Sequence, residues 1–156
     1  MAESLIAWIN TLALHGFVQE TQWVVPAVQT LHILGISVVF ASSLVLTLRS
    51  LELVGGEWTP ARWVHRLGGW IWGALLLLLL SGLLLIIGEP GRTLDNRVFQ
   101  LKIVLLIVAT GTALLLLRRM SRLSGGPSAA IDRLLAIGLM LLWAAIIAAG
   151  RWIAYS

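Results

Sequence analysis

The sequence predicts an all-α protein: an integral membrane four-helix bundle with a short N-terminal interfacial helix. Three observations carry this. Of the 156 residues 59% are hydrophobic and 12% are charged, with a mean hydropathy of +0.95, whereas soluble domains run nearer half apolar and a quarter charged. Four apolar runs are each long enough, at about 1.5 Å per helical residue, to cross a hydrocarbon core of about 30 Å. The charged residues punctuate the ends of those runs. A single transmembrane domain over residues 1–156 accounts for the chain, with no length left for a soluble catalytic domain.

The first element, residues 4–20, reads as one short helix lying flat on the membrane. Leu5, Ile6, Trp8, Ile9, Leu12 and Phe17 recur at helical spacing, and the run is too short and too polar to span. The first span covers about 23–48, with Pro26 in its first turn, where a missing N–H costs nothing, and Arg49 at its end. A loop carrying Gly55-Gly56 and two glutamates leads to the second span, about 62–87, entered from Pro60 and rich in tryptophan and leucine. Gly88-Glu89-Pro90-Gly91 is a strong break. The third span, about 98–117, stops at Arg118-Arg119. Ser124-Gly125-Gly126-Pro127 forms the next turn, and the fourth span covers about 130–155. Most tryptophans fall near helix ends, as an aromatic belt would.

The net charge is +4, but the basic residues form no face for nucleic acid. Counting them gives the topology. Arg49, Arg62, Arg66, Arg118, Arg119, Arg122 and Arg133 fall on the side of the first and third loops, and Arg92, Arg97, Lys102 and Arg151 on the other, seven against four. The excess places those two loops in the cytoplasm of a bacterial inner membrane, with both termini outside. Acidic Glu3 and the absence of a basic N-terminal stretch argue against a cleaved signal peptide. There are no cysteines, so disulfides, thiolate metal sites and iron–sulfur ligation are excluded from the chain.

Ionisable groups within spans are expensive and mark functional sites by default. His32 lies about 12 Å into the first span and Lys102 about 6 Å into the third, both from the outer side at 1.5 Å per residue. Lys102 is the chain's one lysine against ten arginines. Arginine never gives up its proton in a protein, whereas lysine can, and then offers a lone pair. Gly35 falls on the face of His32, where a missing side chain would admit a flat ring, and Gln29 lies a turn the other way. Imidazole is the usual axial ligand of b-type haem, an amine or second imidazole can complete low-spin iron, and Arg92, Arg97 and Arg151 near the same surface suit propionates. The bland alternatives are a His32 that hydrogen-bonds a neighbouring helix and a Lys102 that snorkels outward. His15 on the interfacial helix is a rival second ligand, and His65 lies at the far side among arginines. Gly82, Gly111, Gly138 and Gly150 read as close-packing points. No nucleotide loop, nucleophile–base pair or paired-carboxylate site is present. With only Met1, Met120 and Met140 as soft ligands, copper chemistry has little to work with.

The stretch from Trp23 through Pro26, His32 and Gly35, followed by Leu46-Thr-Leu-Arg-Ser-Leu-Glu-Leu, resembles an uncharacterised bacterial family of four-helix membrane proteins. That family has a "yPxxxxlHilG…DLRLLG" first span after a short N-terminal helix. Thr47 stands where its Asp is usual, and Ser50-Leu51-Glu52 replaces part of its LRLLG run. The run from Arg97 to Lys102 is similar to its "n-x-x-F-x-x-K". More distantly, the arrangement is similar to the copper-resistance protein D family and to HemJ-type membrane protoporphyrinogen IX oxidase. The oxidase's histidine and lysine are implicated in haem b binding, which by position implies His32 and Lys102 here. Its second histidine is absent, with Leu53 in that region, and the residues before its lysine are matched only in part, by Phe99 and Gln100.

The leading expectation is therefore a membrane b-type haem protein with His32 and Lys102 as metal ligands and Gly35, Gln29, Arg151 and Arg97 around the cofactor. It would serve electron transfer or porphyrin-linked redox with a membrane redox partner. The alternatives are a cofactor-free accessory subunit of a larger membrane complex, self-associated or not, and a protoporphyrinogen oxidase-like enzyme.

Overall fold

The computed structural model of the chain describes residues 2–94, 96–122 and 129–153. They form seven helices: α1 (Ala2–Asn10), α2 (Ala13–Glu20), α3 (Val24–Ser50), α4 (Pro60–Gly88), α5 (Pro90–Leu94), α6 (Arg97–Ser121) and α7 (Ala130–Ile153). Four of them, α3, α4, α6 and α7, are long and apolar enough to cross a membrane. Between 22% and 33% of each span is buried within the chain, so most of the apolar surface faces outward, as lipid requires of a multi-pass membrane protein. Ile107, Leu134 and Leu141 are each about two-thirds exposed.

The four long helices close a ring in which α3 packs on α4, α4 on α6, α6 on α7 and α7 back on α3. That leaves α3 diagonal to α6. One end of the bundle carries the α2–α3 and α4–α6 connections (the terminal end below), and the other carries the α3–α4 and α6–α7 connections (the loop end). Helix starts follow local chemistry. Thr59 caps α4 by accepting from the Arg62 N–H at 3.3 Å, ahead of Pro60, and Asn96 caps α6 through Val98 N–H at 2.8 Å. In the α3–α4 loop, Gly55 adopts φ +70 and Trp63 lies so close that a Cβ there would meet its ring at 2.6 Å, so only glycine fits.

The single interfacial helix expected over 4–20 is two helices. Thr11 Oγ bonds the Trp8 carbonyl at 2.6 Å, and Leu12 is extended (φ −72, ψ 133), which turns the chain before α2. The turn lets α2 close the terminal end of α4, where two helix carbonyls would otherwise lack partners. His15 Nδ1 donates to the Ile87 carbonyl at 2.6 Å, and Gln19 donates to that of Gly88. Trp8 and Phe17 remain exposed outward, as an interfacial pair of helices demands.

The third span continues past Arg118-Arg119 to Ser121, because Leu116, Leu117 and Met120 still face the core. The turn at 124–127 and the end of the fourth span at 154–155 lie outside the described residues. Trp143 departs from the aromatic belt: it is fully buried in the core beside Leu139 and Ile146. At the loop end, the buried Asp132 carboxylate in the first turn of α7 pairs with Arg119, and Glu52 pairs with Arg133 at 2.7 Å.

Candidate functional site

The apolar core does not fill the bundle evenly. Val39 and Leu46 on α3, Ile71, Ala74 and Leu78 on α4, and Ala136, Leu139, Trp143 and Ile146 on α7 are buried. On α6 the first buried side chain is Ala109, twelve positions after Arg97, or about 18 Å along the helix. Above that level α4 buries only Ser81 and Gly88, and α7 buries no described side chain past Ile146. In the terminal third the buried apolar side chains among the described residues reduce to Val24 on α3, with Ile9 on α1 and Val18 on α2 closing the end. His32 and Lys102 sit there.

Each of the four long helices contributes one part. From α3, His32 Nδ1 lies 2.8 Å from Ser81 Oγ on α4, and Ser81 Oγ lies 2.6 Å from the Leu77 carbonyl. A hydroxyl has one proton to give. With that proton on Leu77, Ser81 accepts from His32 Nδ1–H, and Nε2 is left as the lone-pair nitrogen. Gly82 lies beside the ring: a Cβ there would stand at ordinary contact distance, 3.7 Å, from His32 Cε1. From α6, Lys102 Nζ lies 3.4 Å from where a Cβ of Gly150 on α7 would stand. His32 and Lys102 thus lie on the two diagonal helices, α3 and α6. Neither His32 Nε2 nor Lys102 Nζ has a hydrogen-bond partner among the described residues.

The other expected residues are placed as follows. Gly35 is buried on the α3–α4 seam, and a Cβ there would meet Leu78 Cδ2 at 3.1 Å, so its bare face is taken by Leu78 and admits no ring. Gln29 is exposed on the outer surface of α3. Arg97 is exposed at the start of α6 and Arg151 in the last turn of α7, both at the terminal end, and Arg151 has an interaction of its own. The Arg92 side chain lies outside the described residues. His15 is engaged at the end of α4 through Nδ1, about 9 Å along that helix from Ser81. His65 is exposed near the loop end.

Ser81, Gly82 and Gly150 were not expected to belong to the site. The first had a signal: Ser81 is the one hydroxyl-bearing residue among the leucines of the second span. The two glycines are close-packing points as read, but what packs against them is His32 and Lys102.

The whole bundle, both polar groups included, falls within a sequence-family match over residues 5–156. The chain belongs to the DUF6644 family, a family of unknown function. No curated protein matches it, and no solved structure does. Among the described residues, this DUF6644 member has no group of three or more His, Cys, Asp or Glu side chains that could hold a metal ion. A bare ion would therefore find no cage of such ligands there. Haem makes no such demand, since its four pyrrole nitrogens bring most of the coordination sphere and one or two axial donors complete it.

Proposed function

We propose that this protein binds b-type haem in the terminal third of its helix bundle and passes single electrons through it to a membrane redox partner. The observation that carries this reading is the pair of nitrogens without a hydrogen-bond partner among the described residues, His32 Nε2 and Lys102 Nζ, on diagonal helices where the apolar core cluster stops. His32 would hold the iron through Nε2. Ser81 holds its Nδ1–H, fixes the tautomer and orients the ring, as outer-shell partners of ligating histidines do. Lys102 is the second ligand or a propionate partner, and Arg97 and Arg151 stand at the terminal end, where propionates would meet solvent. When bound, haem supplies the one-electron couple that no side chain of this cysteine-free protein provides. The two remaining tasks fall to the chain itself: Gly82 and Gly150 let His32 and Lys102 lie against α4 and α7, and the apolar helices exclude water.

The test is the visible spectrum of the protein purified in mild detergent, oxidised and then reduced with dithionite, beside His32→Ala. A Soret band with α and β bands that sharpen on reduction, lost in His32→Ala, is the expected result. Lys102→Met should then shift or weaken the spectrum without abolishing it. A protein that is colourless and stays so after haem is supplied would sink the reading and leave an accessory subunit in a larger membrane complex. Turnover of protoporphyrinogen by the coloured protein would instead make it an enzyme of the porphyrin-oxidising kind.

A further inference from the structure

On the opposite half of the bundle, an open groove of about 480 Å³ runs along the α3–α4 seam, facing outward. Its α4 wall extends from Arg66 through Gly69 and Gly73 to Leu77, and Leu34 and Val38 form the α3 wall. Eleven residues of helix separate Arg66 from Leu77, or about 16 Å at 1.5 Å each. One leaflet of a bilayer core is about 15 Å deep. A Cβ added to Gly69 or Gly73 would meet nothing within 4 Å, so these glycines are not required by packing inside the chain. Each still costs the helix about 1 kcal/mol relative to alanine. What they provide is a smooth floor on an otherwise leucine-crowded, outward-facing surface.

The loop end of the groove is cationic. Arg66 lines it and Arg62 lies one turn below on the same face. Both guanidiniums rest on the Trp58 ring, at 4.5 Å for Arg62 and 5.4 Å for Arg66. No carboxylate among the described residues pairs with either, because the ion pairs at this end join Arg119 to Asp132 and Arg133 to Glu52. Two stacked, unpaired guanidiniums at headgroup depth are suited to a phosphate, which they can grip bidentately.

We propose that the α3–α4 groove is a binding site for an anionic phospholipid, with one acyl chain lying over Gly69 and Gly73 and the phosphate held by Arg62 and Arg66. A second copy of the chain is the competing occupant, since Gly69 and Gly73 have the spacing of helix-pairing glycines. Charge argues against it. Two copies meeting about a two-fold axis on this face would bring Arg66 toward Arg66, and no carboxylate lines the groove.

Trp70 lines the groove and is 65% exposed, so it reports occupancy. The protein is reconstituted in phosphatidylcholine vesicles with small, increasing fractions of phosphatidylglycerol or phosphatidylcholine carrying brominated acyl chains. The Trp70 contribution to fluorescence quenching is isolated by comparison with Trp70→Phe. Brominated phosphatidylglycerol should quench that component at about a tenfold lower mole fraction than brominated phosphatidylcholine, as expected for charge-assisted phosphate contacts. The double variant Arg62→Gln/Arg66→Gln, on exposed side chains, should bring the two curves together. Gly73→Leu, built into open space, should remove the preference by filling the groove. Coincident curves in the wild type, or a preference that survives the double arginine variant, would overturn the proposal. So would a dimer that Gly73→Leu converts to monomer in a protein without lipid preference, which would assign the face to a second copy.

Discussion

Ser81 decides what His32 can do. In hydrocarbon an imidazole needs a partner for its N–H, and Ser81 Oγ accepts that hydrogen bond while donating its own O–H to the Leu77 carbonyl. Removing the hydroxyl with Ser81→Ala leaves the ring free to rotate and to change tautomer. Haem affinity should then fall about 10- to 100-fold, the usual cost of losing a ligand's orienting partner, with the helical content of the bundle unchanged. Titration of the apo-protein with haem, followed at the Soret band, measures this. Equal affinity in wild type and Ser81→Ala would show that Ser81 merely packs. At the other end of the molecule Asp132 is 1% exposed and pairs with Arg119, which stays partly open to solvent. Asp132→Asn keeps the shape but weakens a charge-assisted hydrogen bond. It should cost about 1–3 kcal/mol in unfolding free energy, read from denaturant titration in detergent, and leave the haem spectrum intact.

At the scale of elements, α2 acts as a lid on the last turn of α4. His15 and Gln19 bond two of the carbonyls that every helix leaves unpaired at its C-terminus, and Val18 packs against Gly88. The double variant His15→Ala/Gln19→Ala should lower stability by about 1–2 kcal/mol, seen as a lower thermal midpoint in detergent. It should leave the Soret and α bands where they were. A spectrum altered in that variant would mean that His15, not Lys102, reaches the iron. The four spans were legible in the sequence because each is a run of apolar residues closed by arginine, proline or glycine, a signal that lipid imposes and no tertiary contact overrides. The division of 4–20 was not legible. Its cause is the open end of α4, 69 to 72 residues away along the chain, and apolar spacing carries no trace of it. The same limit applies to the site. His32 and Lys102 stood out as polar residues in apolar runs, but the choice of Gly82 and Gly150 over Gly35 as the glycines beside them depends on which helix lies opposite. Trp143 shows it again, since an aromatic residue in the middle of a span reads the same whether it faces lipid or core.

For the molecule as a whole, orientation follows from where the arginines lie. The loop end carries Arg49, Arg62, Arg66, Arg118, Arg119, Arg122 and Arg133, and the terminal end has Arg92, Arg97, Lys102 and Arg151. Positive charge near span ends is retained on the cytoplasmic side, so the α3–α4 loop should face the cytoplasm, and α2 with the third that holds His32 and Lys102 should face outward. That orientation would place the cationic end of the lipid groove in the anionic leaflet and the candidate redox site toward the opposite compartment. The absence of cysteine makes the test clean, because any introduced thiol is the only one. Gly16 on α2 and Gly56 in the α3–α4 loop both tolerate a side chain, since a Cβ at either meets nothing within 4 Å. In right-side-out spheroplasts, a membrane-impermeant maleimide should label Gly16→Cys and spare Gly56→Cys until the membrane is opened. The reverse pattern would turn the molecule over, placing the His32–Lys102 layer in the cytoplasmic leaflet and requiring an electron partner on that side.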